Sequence, residues 1–474
     1  MSTKNYIYSF AQSGYAFILT FGTTAIVSRW LTPTEIGIYS LGFAFIALLN
    51  AFKNFGIQNY IVVCEDINDE KIRSASLVAF LISWGLGIVV LFLREDIATF
   101  YEQPALINIL IIQSIAFFLW PHSAIRTGLL QRQMDFKTIF WIETISKTIS
   151  AAITLYAVYI GCGPISLAYG AVSLIISSFV LLIVIVKAPW FFSLKYIKEC
   201  VSFGGITSLI ALVLLFSSQG LVLLLGKIIP IDEVAQFERT QTIPILYWGY
   251  LYPAIAVVLL PSFANVLRKE THSVIRKNIL SSWINIAMVC VPIFILLGGG
   301  GNTIILTLYG DQWQPAANVV YLFCIASGLS SLFIVGQSVL YAAREMLPIL
   351  FTQVISKIVL ISIIMFSPST TAELIGFSFI ASNVVFSFII TMQVSKRFCF
   401  TKRHFKLFTA KITQFIAPFF LILAVFKIIE LKYAFNSIYI LFAYSITIGV
   451  SWLLLATIYS HPIINVLKKK LSKE

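Results

Sequence analysis

Residues 164–186 read PISLAYGAVSLIISSFVLLIVIV, a run of 23 residues without one charged side chain. The hydrocarbon core of a bilayer is about 30 Å thick, and an α-helix of about 20 apolar residues crosses it. Similar runs recur along the whole chain, in which 59% of the residues are apolar, 11% are charged and the mean hydropathy is +0.93. This composition excludes a soluble globular domain of this length and predicts a polytopic integral membrane protein.

The apolar runs predict about fourteen transmembrane spans. A backbone in lipid must satisfy its hydrogen bonds internally, and the runs lack the ten-residue alternation of a β-barrel, so the predicted fold class is all-α. We expect the first span to be retained, because residues 1–5 are too short for the charged region of a cleavable signal. The predicted spans lie near residues 6–29, 37–62, 75–93, 105–128, 138–160, 164–186, 201–226, 242–265, 279–298, 316–341, 347–366, 373–394, 412–429 and 437–459.

The distribution of Lys and Arg among the short loops predicts that both termini are cytoplasmic. In this orientation about 23 of the 33 cationic residues lie in cytoplasmic segments and about six lie near the opposite face. The same bias explains most of the net charge of +13, so no nucleic-acid partner is expected.

Motifs for soluble chemistry are missing from the sequence. The six cysteines are scattered without CxxC spacing and the four histidines lie far apart, so neither a disulfide framework nor a metal site is predicted. There is no Gly-rich phosphate loop, no GxSxG elbow and no extramembrane segment longer than about 17 residues. We therefore expect no cofactor and no catalytic domain, with H⁺ or Na⁺ coupling left open.

Weak internal repeats divide the chain. Three pairs of segments recur in the same order at offsets of roughly 200 residues, which predicts two related halves with an axis along the membrane normal. The pairs are LTPTEIGIY (31–39) with IIPIDEVAQF (228–237), FYEQPA (100–105) with LYGDQWQPA (308–316), and ISK (145–147) with ISK (355–357). The predicted parts are an N-terminal lobe of six spans (1–199), a C-terminal lobe of six spans (200–397), and a final helical pair with a basic tail (398–474).

Ionisable residues inside the predicted spans are the candidate site residues. A charge at bilayer depth costs several kcal/mol unless it faces a cavity or a partner. Lys147 and Lys357 occupy corresponding places in the two halves, which predicts that both face one central cavity that takes an anion. The full set is Lys53, His122, Arg126, Glu143, Lys147 and Lys357.

The other members of this set have two readings each. Glu143 precedes Lys147 by four residues, so the two can pair on one helix face, either to fix packing or as a coupling site. Lys53 and Arg126 lie toward the cytoplasmic ends of their spans, where snorkelling to the headgroups and cavity lining both remain open. His122 is expected to be a hydrogen-bonded packing residue rather than a proton relay.

Six segments carry a family resemblance. They are LTPTEIGIYSL (31–41), FGIQNYIV (55–62), LLQRQMDFK (129–137), GKIIPIDEVAQF (226–237), LLPSF (259–263) and YGDQWQPA (309–316). Through them the chain resembles the polysaccharide transporter (Wzx-type) oligosaccharide flippases, whose superfamily also contains MATE antiporters and the lipid II flippase MurJ.

The resemblance implies twelve to fourteen helices in two lobes around a cationic cavity. It implies a non-enzymatic flippase that moves an undecaprenyl-pyrophosphate-linked oligosaccharide, such as an O-antigen, capsule or exopolysaccharide unit, across the bacterial inner membrane. Implied partners are this glycolipid, membrane lipids, a polysaccharide polymerase and a chain-length regulator. The substrate-binding cations carried over by position are Lys147, Lys357, Arg126 and Lys53.

At one place the sequence departs from the family pattern. The stretch SSQGLVLLLGK (217–227) lacks the acidic residue that the family often has there, which argues against a coupling-ion role at this place. Pattern residues are expected to shape loops and helix ends, namely Pro33, Gly37, Arg132 and Trp313.

Two other functions are alternatives to a flippase. A MATE-like antiporter that extrudes cations needs carboxylates in its cavity, and Glu143 is the one carboxylate in the candidate set. A membrane polysaccharide polymerase or ligase usually needs a larger outer loop than the predicted segment 299–315.

Overall fold

The computed structural model describes residues 3–458 except 55, 65, 190–191, 202–214, 217–218, 247–251, 344, 368 and 433–436. The start of the predicted seventh span, part of the eighth, Arg344 and the basic tail lie outside the described residues. All regular elements among those residues are helical, which confirms the all-α fold class.

The helices follow the predicted spans closely. They are α1 (Thr3–Trp30), α2 (Pro33–Asn54), α3 (Ile57–Val63), α4 (Asp69–Phe100), α5 (Ala105–Arg132), α6 (Phe136–Tyr159), α7 (Ile165–Ile185), α8 (Gln219–Ile228), α9 (Ile231–Leu246), α10 (Tyr252–Lys269), α11 (His272–Tyr309), a 3₁₀ turn (Asp311–Trp313), α12 (Gln314–Leu332), α13 (Ile334–Ala342), α14 (Met346–Met365), α15 (Ala372–Phe398), α16 (Lys402–Lys432) and α17 (Ser437–Ile458).

Nine helical stretches within the described residues are long and apolar enough to cross a membrane. They coincide with nine of the fourteen predicted spans. Of the other five predictions, three fall on α1, α6 and α17, and two fall on stretches that are only partly described. The chain is therefore a multi-pass membrane protein.

The second predicted span is interrupted. Gly56, between α2 and α3, has φ 62° and ψ 8°, a left-handed conformation that glycine adopts without steric cost. The prediction of one helix over 37–62 missed this break because glycine is also tolerated inside apolar helices.

The chain forms two units, Met1–Ala235 and Gln236–Glu474. In the second unit the final pair of helices packs on α11, where Phe415, Phe419 and Ile448 join a buried cluster with Met288. Trp452 Nε1 also donates to the Met288 carbonyl at 2.8 Å. The boundaries predicted from the repeats, at 199 and 397, stay predictions.

Helix α8 belongs to the first unit, although the repeat pattern assigns it to the second half. A Cβ on Gly226 would lie 2.3 Å from Leu41 Cδ2, and a Cβ on Gly37 would lie 2.1 Å from the Ile231 carbonyl oxygen. Tyr101 Oη donates to the Leu223 carbonyl at 3.1 Å, in the middle of α8. These close approaches fix α8 and the first residue of α9 against α2, and they fix α8 against the turn that follows α4.

A second set of contacts lies near the start of α4, on the predicted cytoplasmic side. Glu199 Oε1 accepts hydrogen bonds from Tyr60 Oη at 2.9 Å and Lys71 Nζ at 3.2 Å. These bonds, the one from Tyr60 first, hold the pKa of the Glu199 carboxyl below its usual value. The segment after α7 is thereby tied to α3 and α4.

Candidate functional site

Lys147 lies in the middle of α6, where its ammonium faces both a carboxylate and a cavity. Lys147 Nζ is 2.9 Å from Glu143 Oε2, so the intrahelical pair allowed by their spacing is present. About 30% of the Lys147 side chain and 41% of the Glu143 side chain are not covered by protein. The lysine is therefore partly neutralised without being sealed off.

The cavity beside Lys147 has a volume of about 220 Å³ and lies within the first unit. One water needs only about 10–15 Å³ by the same kind of measure, so this space is many times larger. Helices α1, α2, α6 and α7 all contribute to its wall. The lining residues are Leu19, Thr20, Thr23, Thr24, Tyr39, Lys147, Ser150, Ala151, Thr154, Leu167, Ala171 and Leu174.

Hydroxyl groups form part of that wall, and three of them already donate a hydrogen bond to a backbone carbonyl. Thr23 Oγ1 donates to the Leu19 carbonyl at 2.7 Å, and Thr154 Oγ1 donates to the Ser150 carbonyl at 2.8 Å. Ser150 Oγ donates across to the Gly170 carbonyl of α7 at 2.7 Å. A hydroxyl has one hydrogen and two acceptor lone pairs, so these groups can only accept further bonds.

Lys53, near the end of α2, is buried, with 6% of its surface exposed. Its Nζ lies 5.3 Å from the centroid of the Phe117 ring and 5.4 Å from that of Trp120. None of the salt bridges among the described residues includes it. Two aromatic faces thus hold a cation that is in salt-bridge contact with no carboxylate of the described residues.

Arg126 is also buried, at 3% exposure. Its Nε donates to the Val186 carbonyl at 3.1 Å, just past the end of α7, and its Nη1 donates to the His122 carbonyl at 3.2 Å. The His122 ring packs 5.9 Å from that of Phe179. Arg126 therefore joins α5 to the end of α7, and it also lines a small cavity of about 10 Å³ together with His122.

Lys357, in α14 of the second unit, lies 5.8 Å over the Phe379 ring. The Phe379 ring itself packs against those of Phe237 and Phe323, at 5.9 and 5.2 Å. Within the described part of the chain, no ion pair involves Lys357. Its setting therefore differs from that of Lys147, which has Glu143.

The pattern residues have structural contacts, and one cation was overlooked beside them. Arg132 Nη1 donates to the carbonyls of Ile61 and Cys64 at 3.0 and 2.5 Å. Trp313 is fully buried under the Arg239 guanidinium, whose Cζ is 4.9 Å from the Trp313 ring. Arg239 is not in the candidate set drawn from the sequence, and the aromatic residues of YGDQW are the signal that could have indicated its surroundings.

The buried charges of the described residues all have the same sign. Among the residues that the structure describes, the buried charged side chains are Lys53 and Arg126, and neither of them is a carboxylate. Within the same residues no group of three His, Cys, Asp or Glu could hold a metal ion. The absence of a cofactor stays a prediction.

Comparison with known sequences gives a family. A model described as "Polysaccharide biosynthesis protein" matches residues 26–318, a range that includes all six segments quoted above. The lipopolysaccharide biosynthesis protein WzxC of Escherichia coli K12 is 22% identical over 317 residues, or 65% of this chain and 63% of that protein. The teichuronic acid biosynthesis protein TuaB of Bacillus subtilis is 23% identical over 325 residues, or 67% and 66%. The chain spans less than two thirds of the length of these relatives.

Solved structures show the same fold. The lipid II flippase MurJ in an inward closed conformation has a TM-score of 0.78 at 14% identity, covering 98% of this chain and all of that one. An inward-facing multidrug MATE transporter has a TM-score of 0.60 at 12% identity, covering 81% and 94%. Both neighbours are transport proteins rather than enzymes, and at these identities the likeness concerns the fold alone. The predicted resemblance to Wzx-type, MATE and MurJ proteins is confirmed.

Proposed function

The chain belongs to the polysaccharide biosynthesis protein family, and on this premise we propose that it is a flippase for undecaprenyl-pyrophosphate-linked oligosaccharides in the bacterial inner membrane. A pyrophosphate with several sugars cannot cross about 30 Å of hydrocarbon unaided, because nothing there replaces its hydration. The relatives named for lipopolysaccharide and teichuronic acid biosynthesis support this class of cargo.

The observation that carries the proposal is the sign of the charges that lie against aromatic rings inside the helices. Lys53 is held over two aromatic rings and Lys357 over one, without a carboxylate in salt-bridge contact among the described residues. An anionic cargo suits such an interior, whereas the cationic drugs of a MATE-like antiporter require carboxylates. We therefore favour the pyrophosphate glycolipid over a cationic substrate.

The proposed mechanism is alternating access. The two repeat-related halves rock about the glycolipid while its polyprenyl chain stays in lipid, and Lys147 and Lys357 act as counterparts along the path. Both termini are cytoplasmic in this proposal, and Glu143 is the candidate for H⁺ or Na⁺ coupling. A polymerase and a chain-length regulator would use the glycolipid after it reaches the outer leaflet.

Deletion of the gene tests the function directly. We expect lipid-linked repeat units to accumulate in the cytoplasmic leaflet, because their synthesis continues while their export stops. Accumulation in the outer leaflet would instead indicate a polymerase or ligase, and no accumulation would overturn the proposal.

Complementation of the deletion strain tests the site. Lys147→Ala and Lys357→Ala should each abolish export while the protein still inserts at the wild-type level, measured by membrane immunoblot. Lys402→Ala is the matched control, because Lys402 is exposed at the start of α16. Full export by the Lys147→Ala/Lys357→Ala double variant would refute the assignment of these cations.

A further inference from the structure

The cavity beside Lys147 differs in chemistry from the surroundings of Lys53 and Lys357. At Lys147 the nearest charge is the Glu143 carboxylate at 2.9 Å, so the local net charge is close to zero. At Lys53 and Lys357 no such neutralisation is present within the described residues. The cations of the candidate site therefore fall into two kinds.

An anion is a poor ligand for this cavity. The hydroxyls of Thr23, Ser150 and Thr154 have given their hydrogen atoms to backbone carbonyls at 2.7–2.8 Å. They turn only lone pairs to a further ligand, and lone pairs repel a phosphate oxygen. A phosphate beside these three hydroxyls would meet acceptors, and the ammonium of Lys147 is already partly neutralised by Glu143.

A polyol has the opposite properties. Each sugar hydroxyl has a hydrogen to donate to these acceptors and lone pairs that can accept from Lys147 Nζ. The apolar part of the wall, with Leu19, Leu167 and Leu174, suits the C–H faces of a sugar ring. A volume of about 220 Å³ admits a ligand of this kind rather than a single water.

We propose that the cavity between α1, α2, α6 and α7, lined by Thr23, Ser150, Thr154 and Lys147, is a sugar-binding subsite that recognises hydroxyl groups of the glycan. The pyrophosphate is left to Lys53 and Lys357, which form no salt bridge within the described part of the chain. This proposal rests on the proposed flippase function. It assigns the sugars and the pyrophosphate of one substrate to different residues.

Binding of two lipids by the purified full chain in nanodiscs separates these roles. The first probe is the lipid-linked repeat unit extracted from the deletion strain, and the second is undecaprenyl pyrophosphate without sugar. Titration followed by native mass spectrometry gives an affinity for each. We expect Thr23→Val/Thr154→Val to weaken binding of the glycolipid about tenfold, from two lost hydrogen bonds, and to leave binding of the bare lipid unchanged.

Two further variants keep the test decisive if this one folds poorly. Ser150→Ala removes one acceptor and should weaken glycolipid binding about threefold, and Ala151→Leu fills the space and should weaken it more. Thr409→Val is the matched control, because the Thr409 hydroxyl also donates to a helix carbonyl, that of Phe405, but at an exposed position.

The outcomes distinguish the two proposals. Suppose that the wild type binds both lipids. If the cavity variants then bind the glycolipid as tightly as the wild type, or lose affinity for both lipids equally, the sugar subsite is overturned. The proposed flippase function is not affected by that result. If the wild type binds neither lipid, the proposed function fails and the subsite fails with it.

Discussion

Replacement of Lys53 by methionine tests whether this lysine acts in export or only in packing. The side chain is 6% exposed and has two aromatic rings at 5.3 and 5.4 Å in place of an anion. Methionine has a similar length and no charge, so it can fill the same space without the desolvation cost. We expect Lys53→Met to melt at or above the wild-type temperature and to lose export.

The expected gain in stability follows from two opposed contributions. Burial of an unpaired ammonium costs several kcal/mol, even after relaxation of the surroundings. The two cation–π contacts return about 0.5–2 kcal/mol each. The difference leaves Lys53→Met more stable by about 1–3 kcal/mol, in the range seen when buried charges are replaced by apolar side chains.

Two measurements are needed on the same variant. The apparent melting temperature of the purified protein in detergent reports stability, and complementation of the deletion strain reports export. Lys402→Met, at an exposed position, should change neither. A Lys53→Met protein that exports at the wild-type level would refute the functional reading, and one that melts well below the wild type would refute the energetic reasoning.

Two further predictions concern packing and pH. Gly170→Ala should destabilise the first unit by about 1–3 kcal/mol, because the new Cβ would lie 1.8 Å from Thr154 Oγ1. Gly85→Ala is the control, because nothing lies within 4 Å of its new Cβ, and it should not lower the melting temperature. Equal losses of melting temperature in the two variants would contradict the packing argument. For Glu199 the folded-state pKa is lowered from 4.5, so its stabilising bonds are present at neutral pH and are lost as the pH falls through that lowered value. Glu199→Gln should therefore speed hydrogen exchange at residues 197–201 relative to wild type at pH 7, and this difference should disappear as the pH falls through the lowered pKa of Glu199. A difference that does not change with pH would contradict the linkage.

The helices could be predicted from the sequence because their signal is local. A run such as 164–186 needs no partner to be recognised, and α7 occupies Ile165–Ile185. The Glu143–Lys147 pair was foreseeable for the same reason, since four residues along a helix place two side chains together. Both features depend only on neighbours in the chain.

Contacts between distant segments could not be predicted in this way. Nothing near Lys53 in sequence indicates Phe117 and Trp120, and nothing near Arg126 indicates the Val186 carbonyl. These partners are set by how α2, α5 and α7 pack, which one sequence does not specify. The assignment of hydroxyl hydrogens around the Lys147 cavity likewise required the positions of the carbonyls.

The attachment of α8 to the first unit affects how this protein can be divided. Chimeras between members of a repeat-built family are naturally joined at the repeat boundary, here residue 199. Such a junction would pack α2 against a segment from the other parent. At Gly37 and Gly226 the present packing leaves no room even for a methyl group, so a different segment would fit there only with rearrangement. A junction after Ala235 keeps the whole contact in one parent, so the exchangeable module of this chain is longer than its repeat.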